Sequence, residues 1–282
     1  MNYQLSLYEK AVPSELTWDE RFACAKKNGF DAMELSIDET DDRLSRLEWT
    51  KSERDSLREA ADNAGISLSS ICLSAHRKYS IGSVDDFTRE RGMEIMVQAL
   101  QFACDLGIPV IQLAGYDVYY ERSTDETVEN FENNLKKCTE LAAQYGILLG
   151  FETMETPFMD TVGKAMRYVK VVNSPYLNVY PDIGNLKNAS LIYGVSVDDD
   201  LQLGNGHLIA THVKETLPGR YREVPFGTGH TEFHNNLKTV WSLGVRRFVA
   251  EMWYVGQEDW EKDVAFAAKF VRGFLDKVSE MK

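Results

Sequence analysis

One pattern runs through the chain and leaves few folds open to it. A short apolar run, a polar loop, a stretch of helical spacing and a glycine stop follow one another in strict order. The apolar runs read as strands at Gln4–Tyr8, Ala32–Ser36, Leu68–Leu73, Val110–Leu113, Leu148–Glu152, Leu177–Asp182, Ile209–Lys214 and Phe248–Glu251. Between them, Thr17–Glu20 and Thr50–Glu53 are capping boxes, each opening a helix that closes at Gly29 or Gly65. Further helices are predicted over Asp85–Leu106, Thr124–Tyr145, Val162–Val172, Glu232–Leu243 and Trp260–Lys277, with a less distinct one inside Val197–Leu203. In the last long helix, Ala265, Phe266, Phe270 and Phe274 are expected on one face. Alternation of this kind implies parallel strands joined by helical crossovers. Eight such units closing on themselves make an α/β fold, a single (β/α)8 TIM barrel, expected to span residues 1–282 as one domain. An open doubly wound sheet would want a Gly-x-Gly-x-x-Gly turn after the first strand, and the sequence has none there.

Four of these strands end in a side chain able to bind a metal. Ile147-Leu-Leu-Gly-Phe151 delivers Glu152, Val179 precedes Asp182, Leu208-Ile-Ala210 precedes His212, and Phe248-Val-Ala250 delivers Glu251. In a barrel all strands finish on one face, and that face carries the chemistry. Neighbouring strands lie about 4.8 Å apart, so four successive termini span an arc matched to one cation. Any one of these residues alone reads as an ordinary solvated loop residue; four in register do not. Three carboxylates and an imidazole form a mostly hard donor set, suited to Mn²⁺, Mg²⁺ or Co²⁺ and tolerant of Zn²⁺.

Composition narrows the partners. The formal net charge of −13 opposes a phosphate backbone, so nucleic acid is not an expected partner. No apolar run approaches the roughly 20 residues of a membrane span, and Met1-Asn-Tyr-Gln4 lacks the basic and apolar regions of a signal peptide. The cysteines Cys24, Cys72, Cys104 and Cys138 show no Cys-x-x-Cys spacing and sit in apolar runs. They read as reduced core residues, which points to the cytoplasm. A small anionic substrate remains compatible with the acidic field if a local basic cluster overrides it.

His76-Arg77-Lys78, directly after the third strand, is such a cluster, and Lys214 lies just past His212. Together they could hold a phosphate through charge-assisted hydrogen bonds; a solvated basic loop is the bland alternative. Gln112 ends the fourth strand and offers an amide for a sugar hydroxyl. Glu155 and Asn185 each lie three residues past a proposed ligand and are further candidates for substrate contact. Tyr116, Phe158 and Trp253 could wall a cavity, although aromatic residues more often pack. His207 precedes its strand and His234 sits on a helix, so both read as remote from the mouth.

At these residues the chain resembles a known family. Cys72-Leu-Ser-Ala-His-Arg77, Ile111-Gln-Leu-Ala-Gly-Tyr-Asp-Val-Tyr-Tyr120, Tyr180-Pro-Asp-Ile-Gly-Asn185, His212-Val-Lys214, Val224-Pro-Phe-Gly227, Glu251-Met-Trp253 and the stretch Met33–Arg46 resemble the L-ribulose-5-phosphate (L-xylulose-5-phosphate) 3-epimerases of L-ascorbate utilisation. The wider group is that of the xylose-isomerase-like barrels. The resemblance implies that Glu152 and Glu251 are both metal ligands and the acid/base pair, with Asp182 and His212 completing the site. It also implies a homodimer. Free-sugar ketose 3-epimerases carry a histidine three residues past the aspartate and a glutamate six past the first ligand; here those positions hold Asn185 and Phe158, which points away from a free ketose.

The chemistry implied is inversion at C3 of a ketopentose 5-phosphate, L-xylulose 5-phosphate to L-ribulose 5-phosphate. The C3 proton is lost to a base on one face and returned by an acid on the other, through an enediolate whose charge a divalent cation stabilises. An aldose–ketose isomerase acting on a sugar phosphate such as a hexulose 6-phosphate would use the same scaffold and metal. A nuclease built on this barrel needs a multi-metal cluster with more imidazoles than the five histidines here. A non-catalytic sugar-binding barrel is opposed by an intact set of four ligands.

Overall fold

The strands alternate with a period of two, and that period sorts their side chains between two environments. On one face Leu5, Leu7, Met33, Leu35, Ile71, Leu73, Ile111, Leu113, Leu149, Phe151, Leu177, Val179, Val213 and Phe248 pack into the main hydrophobic core beneath the helices. On the other, Tyr8, Cys72, Val110, Tyr180, Ala210 and Val249 form a small second cluster inside the barrel. Several other inward positions are polar, among them Glu34, Ser70, Gln112 and Glu152, and these four are buried.

The computed structural model describes residues 2–280; Met1, Met281 and Lys282, the ends of the span expected to form one domain, lie outside the described residues. The strands are β1 (Gln4–Tyr8), β2 (Ala32–Ile37), β3 (Ser67–Leu73), β4 (Val110–Ala114), β5 (Leu148–Glu152), β6 (Leu177–Tyr180), β7 (Thr211–Val213) and β8 (Arg247–Ala250). The helices are α1 (Trp18–Lys27), α2 (Asp41–Leu44), α3 (Lys51–Ala64), α4 (Asp86–Leu106), α5 (Asp125–Tyr145), α6 (Val162–Val172), α7 (Ile183–Tyr193), α8 (Val197–Gln202), α9 (Phe233–Ser242) and α10 (Trp260–Glu280). All strand pairs are parallel, in the order β6-β5-β4-β3-β2-β1-β8-β7. The ring closes between β6 and β7 through the parallel bridges Val179 to Leu208 and Asp182 to His212. Pro181 has no N–H to give, so the ladder is irregular here, and its carbonyl accepts from His212 N at 2.9 Å. This irregular seam brings two of the proposed ligands side by side.

Both capping boxes form, with Thr17 and Thr50 accepting from Glu20 and Glu53 backbone amides. Three expectations need correction. The helix after β6 is not confined to Val197–Leu203: α7 starts at once, capped by Asp182, whose Oδ1 accepts from Asn185 N at 2.7 Å. Gly184 lets that first turn approach β7, since a Cβ there would meet the Lys214 carbonyl at 2.7 Å. On α10 the buried stripe is Val264, Ala267, Ala268, Val271, Leu275 and Val278. Ala265 and Phe266 face outward, while Phe270 and Phe274 pack sideways against Phe233 of α9. Cys104 is exposed, unlike the other three cysteines, all of which are free. Among the described residues no helix is long and apolar enough to cross a membrane.

Candidate metal centre and active site

The inward register and the β6–β7 seam carry Glu152, Asp182, His212 and Glu251 to one point. One ligand atom from each lies within 4.8 Å of the other three, and all four residues are buried. That spread is close to the roughly 4.4 Å between opposite ligands of a cation bound at about 2.2 Å. His212 Nδ1 stands 3.3 Å from Glu152 Oε1, 3.2 Å from Glu251 Oε2 and 3.9 Å from Asp182 Oδ2. Its other nitrogen, Nε2, is 2.7 Å from Glu34 Oε1. Glu152 Oε2 accepts from the Gln112 amide.

Three carboxylates in one buried place are an electrostatic problem that the protein groups only partly solve. Burial, with Glu251 and Glu152 beside it, pushes the Asp182 carboxyl up to about 8 against the pull of Lys214. Burial also opposes the Glu251 charge, but Lys214 and His212 outweigh it and hold that carboxyl well below its ordinary range. Burial pulls His212 down, and Glu34, Glu251 and Glu152 more than reverse this, raising it well above an ordinary imidazole. Asp182 Oδ2 and Glu251 Oε2 have no hydrogen-bond partner among the described residues. Their counter-charge is the Lys214 ammonium, at 2.8 and 3.1 Å. Buried carboxylate oxygens that one ammonium only partly neutralises, gathered around an imidazole nitrogen, are a donor set that fits a divalent cation.

The site forms the floor of a cavity at the C-terminal ends of the strands. Its walls include Tyr8, Lys10, Arg77, Glu155, Asn185, Lys214, Arg222 and Trp253, with Glu152 and Glu251 at the base. Asn185 donates from Nδ2 to the Thr153 carbonyl at 2.8 Å, and its buried Oδ1 has no partner among the described residues. Glu155 accepts from the Tyr116 hydroxyl at 2.7 Å and from Arg222 Nη2 at 3.2 Å. Burial raises the Glu155 carboxyl, but Tyr116, Arg222 and Arg77 together keep it below its ordinary range. The Arg77 guanidinium lies 5.1 Å from the Tyr119 ring centroid.

Several residues expected at the mouth are elsewhere. His76 is buried with Nε2 at 3.0 Å from the Gly92 carbonyl on α4, and burial lowers its imidazole to about 4. The short 3-10 turn Ser74–Arg77 after β3 rotates it away from the cavity that Arg77 lines. Lys78 stacks on Tyr79 and is not a cavity residue. Lys214, expected with them as a phosphate ligand, does line the cavity, but it is buried and paired with Asp182 and Glu251, because its position directly after β7 continues the inward parity of His212. Phe158 packs on Phe131 and Tyr168 under α5 and α6, and Tyr116 contributes through its hydroxyl to Glu155. His207, read as remote from the mouth, does not line the cavity; nor does His230, whose Nε2 lies 3.0 Å from Thr216 Oγ1.

Glu34, Lys10, Tyr8 and Arg222 were missed as site residues. Glu34 had a signal, a carboxylate at an inward position of a largely apolar strand, and Lys10 lies two residues past the end of β1. Arg222 had none, since its place depends on how the loop after β7 folds back over the barrel.

Comparison with known proteins agrees with this architecture. The chain matches the family model described as xylose isomerase-like TIM barrel over residues 22–273. It is 44% identical over 274 residues to an L-ribulose-5-phosphate 3-epimerase UlaE of Escherichia coli (strain SMS-3-5 / SECEC), covering 97% of this chain and 95% of that one. An L-ribulose-5-phosphate 3-epimerase UlaE of Escherichia fergusonii gives the same figures, 44% identity with 97% and 95% coverage. Among solved structures, D-psicose 3-epimerase in the presence of D-fructose superimposes with a TM-score of 0.79 at 18% identity, covering 96% of this chain and 99% of that one. The chain therefore belongs to the xylose isomerase-like TIM barrel family and, within it, to the family of L-ribulose-5-phosphate 3-epimerases.

Proposed function

We propose that this chain interconverts L-xylulose 5-phosphate and L-ribulose 5-phosphate by inverting C3, with one divalent cation held by Glu152, Asp182, His212 and Glu251. It is an isomerase, as its relatives named as epimerases are. The observation that carries the reading is that two glutamates from non-adjacent strands, β5 and β8, reach the same buried point at the base of one cavity. When bound, the cation supplies positive charge that makes the C3 proton more acidic. Zn²⁺ or Mn²⁺ suits a set that includes an imidazole, with Mg²⁺ or Co²⁺ as further candidates.

The chain's own residues then have distinct tasks. Glu152 and Glu251 face C3 from opposite sides, one accepting its proton and the other delivering one to the opposite face. Removing the C3 proton places negative charge on the C2 oxygen, and the Lys214 ammonium offsets part of the surrounding carboxylate charge. Gln112 orients Glu152 through its amide. Asn185 and Glu155 offer a carbonyl oxygen and a carboxylate to sugar hydroxyls. Arg77, Lys10 and Arg222 ring the mouth and are the groups placed to meet the phosphate.

The deciding experiment is NMR of candidate ketose phosphates with the enzyme and cation in deuterated water. Deuterium at C3 with appearance of the C3 epimer is the expected result; deuterium at C1 would replace the reading with an aldose–ketose isomerase. A second expectation concerns the phosphate. Arg77→Ala should raise KM for the phosphorylated ketose by roughly 10- to 100-fold, the worth of one charge-assisted hydrogen bond, and leave the unphosphorylated ketose unaffected. An equal loss on both substrates would move the phosphate away from Arg77.

A further inference from the structure

Glu34 sits in the middle of β2, completely buried, where the inward layers of such barrels are usually filled by branched apolar residues. A buried carboxylate is costly unless its charge is used. Among the described residues no lysine or arginine pairs with it. Its three partners come from three other strands: His212 Nε2 at 2.7 Å on Oε1, and the Ser70 hydroxyl at 2.6 Å and the Tyr180 hydroxyl at 3.0 Å on Oε2. The carboxylate is thus fixed on one oxygen by two hydroxyls and presents the other to the imidazole. Tyr180 also packs edge-on against the His212 ring, with centroids 4.9 Å apart.

That arrangement has a consequence for the opposite side of the ring. A proton held on Nε2 by Glu34 makes Nδ1 the nitrogen that would give up its proton to a bound cation, and Nδ1 is the atom that faces Glu152, Asp182 and Glu251. A carboxylate on the far nitrogen also makes the near nitrogen a stronger donor. We infer that Glu34 is a positioning residue, fixing the tautomer and orientation of His212 from within the barrel and thereby setting the affinity of the centre for its cation. This rests on reading His212 as a ligand, and the test separates the two claims.

The test measures cation affinity directly, by chelator competition with Zn²⁺ and with Mn²⁺ on the purified chain, alongside ¹⁵N NMR of the imidazole nitrogens. Wild type should bind one equivalent and, once loaded, show the Nε2–H tautomer at His212. Glu34→Gln keeps the shape and removes the charge, and should weaken both ions by about 10- to 100-fold, the usual effect of losing a partner of a ligating histidine. Ser70→Ala removes a hydroxyl from Oε2 without touching Oε1, and should leave affinity within about twofold. If Glu34→Gln does not fold, Glu34→Asp keeps the charge but draws it back by one methylene, and the same loss is expected. A folded Glu34 variant that binds both ions as tightly as wild type, with an unchanged imidazole spectrum, overturns the inference and leaves the ligand reading intact. Wild type that binds neither ion overturns the ligand reading itself, and the inference with it.

Discussion

Glu152→Gln and Glu251→Gln are each expected to lower turnover by about three orders of magnitude or more, and to fail in complementary ways. General acid–base groups contribute roughly 10²- to 10⁴-fold, and each glutamate also belongs to the cluster that fits the cation. Inversion is what makes the two variants different. A single base returns the proton to the face it came from, whereas two bases on opposite faces allow removal and delivery without turning the substrate. With Glu251 neutralised, Glu152 can still take the C3 proton of the one epimer whose hydrogen faces it. With Glu152 neutralised, the other epimer keeps its partner. In deuterated water, each variant should therefore wash solvent deuterium into C3 of one epimer only, and not the same epimer, while forming little product. Cation binding must be measured on both variants, since loss of the cation would silence both exchanges. Exchange of the same epimer by both cation-loaded variants would sink the two-base assignment. So would wild-type product that retains its original hydrogen after a single turnover in deuterated water, which points to one shuttling residue.

What was legible in the sequence follows from which forces act locally. Apolar runs, capping boxes and left-handed glycine stops are short-range signals, and the strand–helix alternation read from them matches the eight parallel strands. The strand ends were legible for the same reason, because parity along a strand decides which side chains face inward. The same parity explains two misjudgements. Lys214 lies two residues past His212 and so shares its inward face, yet its charge suggested a place at the solvent mouth. Glu34 obeys the rule too, but a lone carboxylate in a largely apolar strand has no partner visible in sequence; His212 lies 178 positions away. α7 was hidden by Gly184, Asn185 and Asn188, weak helix formers whose presence is explained by packing against Lys214 and by side-chain bonds to Thr153 and Gly219. His76 and Lys78 depended on the rotation of one short turn after β3, which no periodicity specifies.

Lys214→Met tests whether the buried ammonium serves the reaction or the phosphate, and the expected result is a fall in kcat of roughly 100-fold or more on phosphorylated and free ketose alike. The residue is 3% exposed. Burial works against its charge, but Asp182 and Glu251 reverse the balance and raise its affinity for the proton above that of an ordinary lysine. Held between those two carboxylates at 2.8 and 3.1 Å, it is placed to act as a cation. Removing it leaves two buried carboxylate oxygens without their ammonium, a change that typically costs 3–5 kcal/mol of stability. The sign of the effect on cation binding then separates the possible roles. A more negative pocket attracts a divalent ion at least as strongly, so Lys214→Met should bind Zn²⁺ or Mn²⁺ with equal or tighter affinity, and the ion should restore much of the lost thermal stability. Turnover should not recover with it, because charge developing on the C2 oxygen would then meet an extra unbalanced carboxylate where the wild type has a neutralising ammonium. A variant with unchanged kcat and a raised KM for the phosphorylated ketose alone would return Lys214 to the phosphate. A variant that loses the ion outright would make the lysine a structural strut of the centre, since the remaining four donors could no longer hold their places without it.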